Sequence, residues 1–113
     1  MATQMQFARD GQVTPAMLAV AEAEGLAPEV LRERVAAGTV AICANVNHSS
    51  LQPKGFGLGL KTKVNANIGT SSAFPDVGPE LAKLAAAIEA GADAVMDLST
   101  GDDIDRSRRE IIR

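Results

Sequence analysis

KVNANIGTSS at residues 63–72 and GADAVMDLSTG at 91–101 decide the fold. In the first string, Val64, Ala66 and Ile68 alternate with Lys63, Asn65 and Asn67, which is the two-residue period of a strand. That strand is expected over Lys61 to Ile68, stopping at the small polar loop Gly69-Thr70-Ser71-Ser72. In the second, Ala92 to Leu98 reads as another strand, ending at Ser99-Thr100-Gly101. Between them Pro79 opens a helix to Ala90, with Gly91 as its C-cap. Leu81, Leu84, Ala85 and Ile88 fall at i, i+3, i+4 and i+7, so one face of that helix is apolar. Asp102 and Asp103 then place negative charge at the start of a last helix, which carries Ile104, Ile111 and Ile112 on one side. Strand, helix, strand, helix is a βαβα unit, with parallel strands joined by a right-handed crossover.

Upstream the pattern changes. Residues 1–13 read as polar and irregular, broken by Gly11. Thr14-Pro15 starts a helix, with Thr as N-cap and Pro in the first helical position, and Gly25 ends it in a left-handed C-cap. Pro28 opens a second helix to about Ala37, with Val30, Leu31 and Val35 on its apolar side and Gly38 as its stop. The two form a helical hairpin. Val40 to Ala44 reads as a short buried strand. Residues 45–60 read as a surface connection, with room for a short hairpin around Gly57-Leu58-Gly59.

Two parallel strands need neighbours on both edges, and a closed barrel of such units takes roughly 250 residues. The last helix runs to Arg113 without a stop residue. The expected fold is therefore α/β: a helical and irregular N-terminal region over 1–60, then over 61–113 the first two βα units of a (β/α)8 barrel, incomplete. The alternative is a complete small α/β domain. An open strand edge invites self-association of such a piece.

Composition narrows the function. The chain has 113 residues and a formal net charge of −3, with 46% hydrophobic and 22% charged residues, as in an ordinary soluble globular protein. No basic excess exists to neutralise phosphates, and three Phe without Trp or Tyr make a poor stacking platform, so nucleic-acid binding is not expected. Twenty of the residues are Ala, so the core is light. No basic segment leads into an apolar run at the N-terminus, and no apolar stretch reaches the roughly 20 residues of a membrane span. The single Cys43 can form no intramolecular disulfide, which suits a reducing, cytoplasmic compartment. One Cys and one His leave no self-contained zinc site.

In parallel α/β folds, functional groups sit at the C-terminal ends of strands and in the loops that follow. Asn65 and Asn67 share one strand face, where an amide offers both donors and acceptors to a neutral heterocycle or ribose, or cross-braces neighbouring loops. Lys63 lies on the same face, as a partner for an acid inside a barrel or as a solvated charge. Met96 reads as a core filler. Asp97 is a base, a metal ligand or a satisfied structural carboxylate. Ser99-Thr100-Gly101 is a phosphate cradle or a plain strand-to-helix turn. His48, after Asn45-Val46-Asn47, reads as structural or exposed. There is no Ser/His/Asp set, nucleotide-binding glycine fingerprint or Cys pair.

TQMQFARDG near the start, NVNHSS at 45–50, KVNANIGTSS and GADAVMDLSTG together resemble the phosphomethylpyrimidine synthase family of thiamine biosynthesis, in order and across essentially the whole chain. The resemblance implies radical S-adenosylmethionine chemistry, in which a [4Fe-4S] cluster cleaves S-adenosylmethionine and 5-aminoimidazole ribotide is rearranged to the hydroxymethylpyrimidine phosphate. It implies a (β/α)8 barrel behind a helical N-terminal region, a cytoplasmic homodimer, cluster cysteines far to the C-terminal side, and a zinc site of two late histidines. It places two substrate contacts here, Asn67 in NANIG and Met96 in VMDLSTG, and so replaces the core reading of Met96. It assigns no catalytic or metal-ligating residue to these 113 positions, and the chain alone is expected to be inactive. Two other readings remain: the sister enzyme 5-hydroxybenzimidazole synthase, which takes the same ribotide toward a cobamide ligand, and a non-catalytic truncated binding protein.

Overall fold

A computed structural model describes residues 2–113 and divides into two units, one ending at Thr62 and one from Lys63 to Arg113. The first opens on a helix, α1 (Gln4–Arg9), where the sequence reads as irregular. Thr3 caps it, its Oγ1 accepting the Gln6 N–H at 3.2 Å. Six residues do not sustain a helix alone; this one is tied from outside, by Arg32 Nη1 donating to the Ala8 carbonyl at 2.7 Å and Arg9 Nε to that of Ala36 at 3.1 Å. Helix α2 (Pro15–Glu24) has the expected ends: Thr14 Oγ1 accepts the Met17 N–H, and Gly25 turns left-handed at φ 69°. Helix α3 (Pro28–Ala36) buries Leu31 and Val35 but leaves Val30 exposed, since its stripe is one residue narrower than expected.

Strand β1 (Val40–Cys43) pairs antiparallel with β2 (Lys54–Gly57), Val40 opposite Gly57 and Cys43 opposite Lys54. β1 is therefore not buried on both sides: Val40 and Ile42 turn toward the core while Ala41 and Cys43 are exposed. The expected hairpin at Gly57-Leu58-Gly59 is instead the turn that leaves β2, closed by the Leu60 N–H on the Gly57 carbonyl at 3.2 Å. Ala8, Met17, Val20, Ala21, Leu31, Val35 and Val40 form the core of this unit.

The second unit is the βαβα unit: β3 (Asn65–Ile68), α4 (Val77–Glu89), β4 (Ala94–Asp97) and α5 (Ile104–Ile112), with β3 and β4 parallel. Both strands are shorter than expected. α4 begins two residues before Pro79, because Asp76 Oδ1 accepts the Gly78 N–H at 3.0 Å and caps the helix there. Pro79 falls in the first turn, where its missing N–H has no helical partner to lose. The helix closes at Ala90, with Gly91 left-handed just beyond it. Asp103 caps α5, accepting the Arg106 N–H at 3.3 Å. Of the apolar stripe on α4, Leu81 and Leu84 are half-buried, while Ala85 and Ile88 face solvent. On α5, Ile104 and Ile111 are half-buried and Ile112 is exposed. Ile68 is the one buried apolar side chain among the described residues of this unit; Thr70, Glu80, Ser99 and Ser107 are its buried polar ones.

Candidate functional site

Alternation along β3 and β4 sorts the side chains of the second unit. The register sets Asn65 beside Ala94, Ala66 beside Val95, Asn67 beside Met96 and Ile68 beside Asp97. Neighbours in register share a face of the sheet. Ile68 and Asp97 are on the covered side, where α4 packs against β3. Asn65, Asn67 and Met96 are on the other face, exposed, with Met96 half open to solvent. The two predicted contact residues are thus adjacent and side by side. Asn65 Nδ2 donates to Asn67 Oδ1 at 2.8 Å, so the two amides act as a pair.

The loops after both strands stay zipped. The Leu98 N–H donates to the Ile68 carbonyl at 2.7 Å, and the Thr100 N–H to that of Thr70 at 2.8 Å. Only glycine fits at 69: a Cβ there would lie 2.6 Å from the Leu98 carbonyl carbon and 2.7 Å from the Ser99 nitrogen. Ser99 Oγ accepts the Thr70 N–H at 3.0 Å and donates to Asp97 Oδ1 at 2.5 Å, and the Ser99 N–H reaches the same oxygen at 3.0 Å. Arg108 Nε lies 3.7 Å from Asp97 Oδ2. Asp97 thus braces the turn through Oδ1, while its buried Oδ2 has no hydrogen-bond partner among the described residues; Ser99-Thr100-Gly101 is a strand-to-helix turn in which the Ser99 hydroxyl is already engaged. Thr70 Oγ1 is buried beneath this turn without a hydrogen-bond partner among the described residues.

Glu80 was not singled out by the sequence. It is almost wholly buried, and its Oε2 accepts the Gly69 N–H at 2.7 Å while Oε1 accepts from Lys83 Nζ at 2.8 Å. The Lys83 ammonium, and then the Gly69 amide, hold this carboxyl below its ordinary range. A depressed folded value contributes stability that is full above the unfolded value, near 4.3, and is lost as pH falls through the folded one. The protection factor of the Gly69 amide against hydrogen exchange is accordingly expected to hold at neutral pH and to be lost progressively as pH falls below the unfolded value toward the lower folded one; Glu80→Gln should flatten that dependence.

The remaining candidates lie elsewhere. Lys63 is half-buried just ahead of β3. His48 sits in a turn of the first unit, its N–H donating to the Asn45 carbonyl at 3.0 Å and its own carbonyl accepting from Leu51. Cys43 is exposed on β1. Among the described residues, no group of three or more His, Cys, Asp or Glu is placed to hold a metal ion, and no helix is long and apolar enough to cross a membrane.

A parallel βαβα unit with a zipped rim, carrying an amide pair beside a thioether on its exposed sheet face, places this segment among α/β proteins. The chain belongs to the radical SAM ThiC family, whose profile matches residues 3–113. It is 63% identical over 110 residues to the phosphomethylpyrimidine synthase of Desulforamulus reducens, covering 97% of this chain and 26% of that protein. The proteins of the same name from Caldanaerobacter subterraneus subsp. tengcongensis and Geobacter metallireducens are 59% and 52% identical over 111 and 110 residues, covering 98% and 97% of this chain and 26% and 25% of theirs. The chain thus spans about a quarter of the length of these relatives. Membership implies S-adenosylmethionine and an iron–sulfur cluster in the full-length proteins. The residues here do not fit that cluster: it takes several thiolates, and this chain has one cysteine, exposed on β1.

Proposed function

We propose that this segment supplies part of the substrate-binding wall of a phosphomethylpyrimidine synthase, the carbon–carbon lyase that converts 5-aminoimidazole ribotide to 4-amino-5-hydroxymethyl-2-methylpyrimidine phosphate in thiamine biosynthesis. The observation that carries the reading is the register of Asn67 beside Met96 on the open sheet face. On this reading residues 61–113 begin a (β/α)8 barrel, and the open face of β3 and β4 looks into it. The unpaired outer edges of a two-stranded parallel sheet and the uncovered Ile88 support a larger sheet and helix ring. The complete enzyme is a cytoplasmic homodimer, and its cluster and zinc ligands lie outside this segment.

The chemistry left to these residues is binding and orientation. The Asn67 amide meets a polar edge of the imidazole ribotide without adding charge. The Met96 thioether lies against the ring, where a soft polarizable sulfur suits a flat π-system. Asp97, on the covered face, keeps its carboxylate away from the substrate. Asn67 is exposed and outside the core, so Asn67→Ala should leave the fold intact. In a full-length synthase carrying this segment it is expected to weaken ribotide binding by about 1–3 kcal/mol, by calorimetric titration. Unchanged affinity would remove Asn67 from the site.

A further inference from the structure

We infer that Asp93 and Ser99 are positioning residues that lock the register of β3 against β4, and so hold Met96 beside Asn67 for the ribotide. This rests on the ribotide-binding reading above. Backbone hydrogen bonds between parallel strands form equally well in any register, because every residue offers the same N–H and C=O. Burial of one face usually decides the register, and polar strands specify it weakly. Here each strand has four residues, and Ile68 is the one buried apolar side chain among the described residues of the unit. A slip of one residue would bring Val95 or Asp97 beside Asn67, and a slip of two would bring Ala94 or Leu98.

Two side chains break that degeneracy. Where the strands begin, Asp93 Oδ2 accepts the Val64 N–H at 3.0 Å, and the Asp93 N–H returns to the Val64 carbonyl at 2.9 Å. Where they end, Ser99 Oγ accepts the Thr70 N–H at 3.0 Å. Both ties keep the 29-residue spacing that sets Asn67 against Met96. They bracket the pair evenly: Val64 and Thr70 lie equally far from Asn67, as Asp93 and Ser99 do from Met96. Their direction is forced, since a backbone N–H can only donate and the side-chain oxygen must accept. The Ser99 hydroxyl proton goes to Asp97 Oδ1, which leaves the oxygen lone pairs to Thr70. Ser99 and Thr70 are both buried, so breaking that tie strands a donor away from water, and the strand end recovers it only by moving. Such movement separates Asn67 from Met96.

The test uses a chimera that joins this chain to the remaining length of the Desulforamulus reducens synthase, with the Kd for 5-aminoimidazole ribotide read by calorimetric titration. Ser99→Ala is expected to raise Kd about 3- to 30-fold, and Asp93→Ala about 2- to 10-fold. Asp93→Asn, whose amide oxygen still accepts the Val64 N–H, should restore Kd to within about 2-fold of the parent. Neither alanine change should weaken binding further in a chimera that also carries Asn67→Ala and Met96→Ala, because the side chains being positioned are then gone. A general loss of folded protein would persist in that background. Should Ser99→Ala fail to fold, Asp93→Ala and Asp93→Asn, at the more open end of the strands, decide the question by the same comparison. No effect of removing Asn67 and Met96 together, or no ribotide binding by the parent chimera, counts against the binding reading itself. A clear effect of that removal overturns the positioning role alone if the alanine variants at 93 and 99 bind like the parent. Equal losses in Asp93→Ala and Asp93→Asn, or losses that persist without Asn67 and Met96, overturn it too.

Discussion

Gly69→Ala is expected to be among the most damaging single changes to the second unit, costing about 1–3 kcal/mol and displacing the rim. The added Cβ would stand 2.6–2.7 Å from backbone atoms of Leu98 and Ser99, and backbone cannot swing aside as a side-chain tip can. The strain falls between two hydrogen bonds that zip the loops together, Leu98 to Ile68 and Thr100 to Thr70. It also falls on the amide that Glu80 holds. The measurement is hydrogen exchange at Leu98, Thr100 and Gly69 alongside urea unfolding followed by circular dichroism. Loss of protection at all three amides with a lower midpoint is the expected result; native protection in a stable variant would mean the two loops do not lie so close.

Leu31→Ala is expected to destabilise the first unit by about 2–5 kcal/mol. Leu31 is fully buried among Ala8, Met17, Val20 and Val35, so shortening it leaves a cavity that a helix pinned on several sides cannot close. A domain of this size holds only roughly 3–9 kcal/mol in total, so the variant should melt near room temperature or be largely unfolded. Val30→Ala, one residue earlier and facing solvent, should stay within about 0.5 kcal/mol of the parent. Equal losses at the two positions would place the core on a different face of α3.

These two positions also mark what the sequence discloses and what it withholds. The parallel unit was legible because its signals are local: alternation in KVNANI, a 3.6-residue stripe before Gly91, and the acids Asp102 and Asp103 at the start of the last helix. Elements made by distant contacts were not. α1 depends on Arg32 and Arg9 reaching backbone carbonyls across the chain. β2, with two glycines in four residues, has little strand preference of its own. It forms because Gly55 lets the backbone pass Val20, where a Cβ would come within 2.6 Å of a Val20 methyl. Of the site, the strand ends and the shared face of Asn65 and Asn67 could be read from periodicity. The cross-strand register that seats Met96 opposite Asn67 could not, since no residue pattern declares it. Glu80 was hidden for a related reason: its acceptor role is set by a glycine amide eleven residues away, in the loop after β3.

The polar interior of the second unit gives its dynamics a physical content. Ile68 alone is buried there among apolar residues, and the rim is held by hydrogen bonds through Glu80, Ser99 and Asp97 rather than by packing. Such links are directional and individually modest, about 0.5–1.5 kcal/mol net when neutral and about 1.5–3 kcal/mol when a carboxylate accepts. A site built on them keeps its geometry while each is made and loosens when one is broken.

On the proposed function the open face of β3 and β4 grips the imidazole nucleotide. The most direct measurement is a crystal structure of the full-length chimera with 5-aminoimidazole ribotide bound. The Asn67 amide is expected within hydrogen-bond distance of the ring, with the Met96 sulfur against it. A ribotide bound with neither side chain in contact, or one lodged on the helix-covered side with Asp97, would contradict that function.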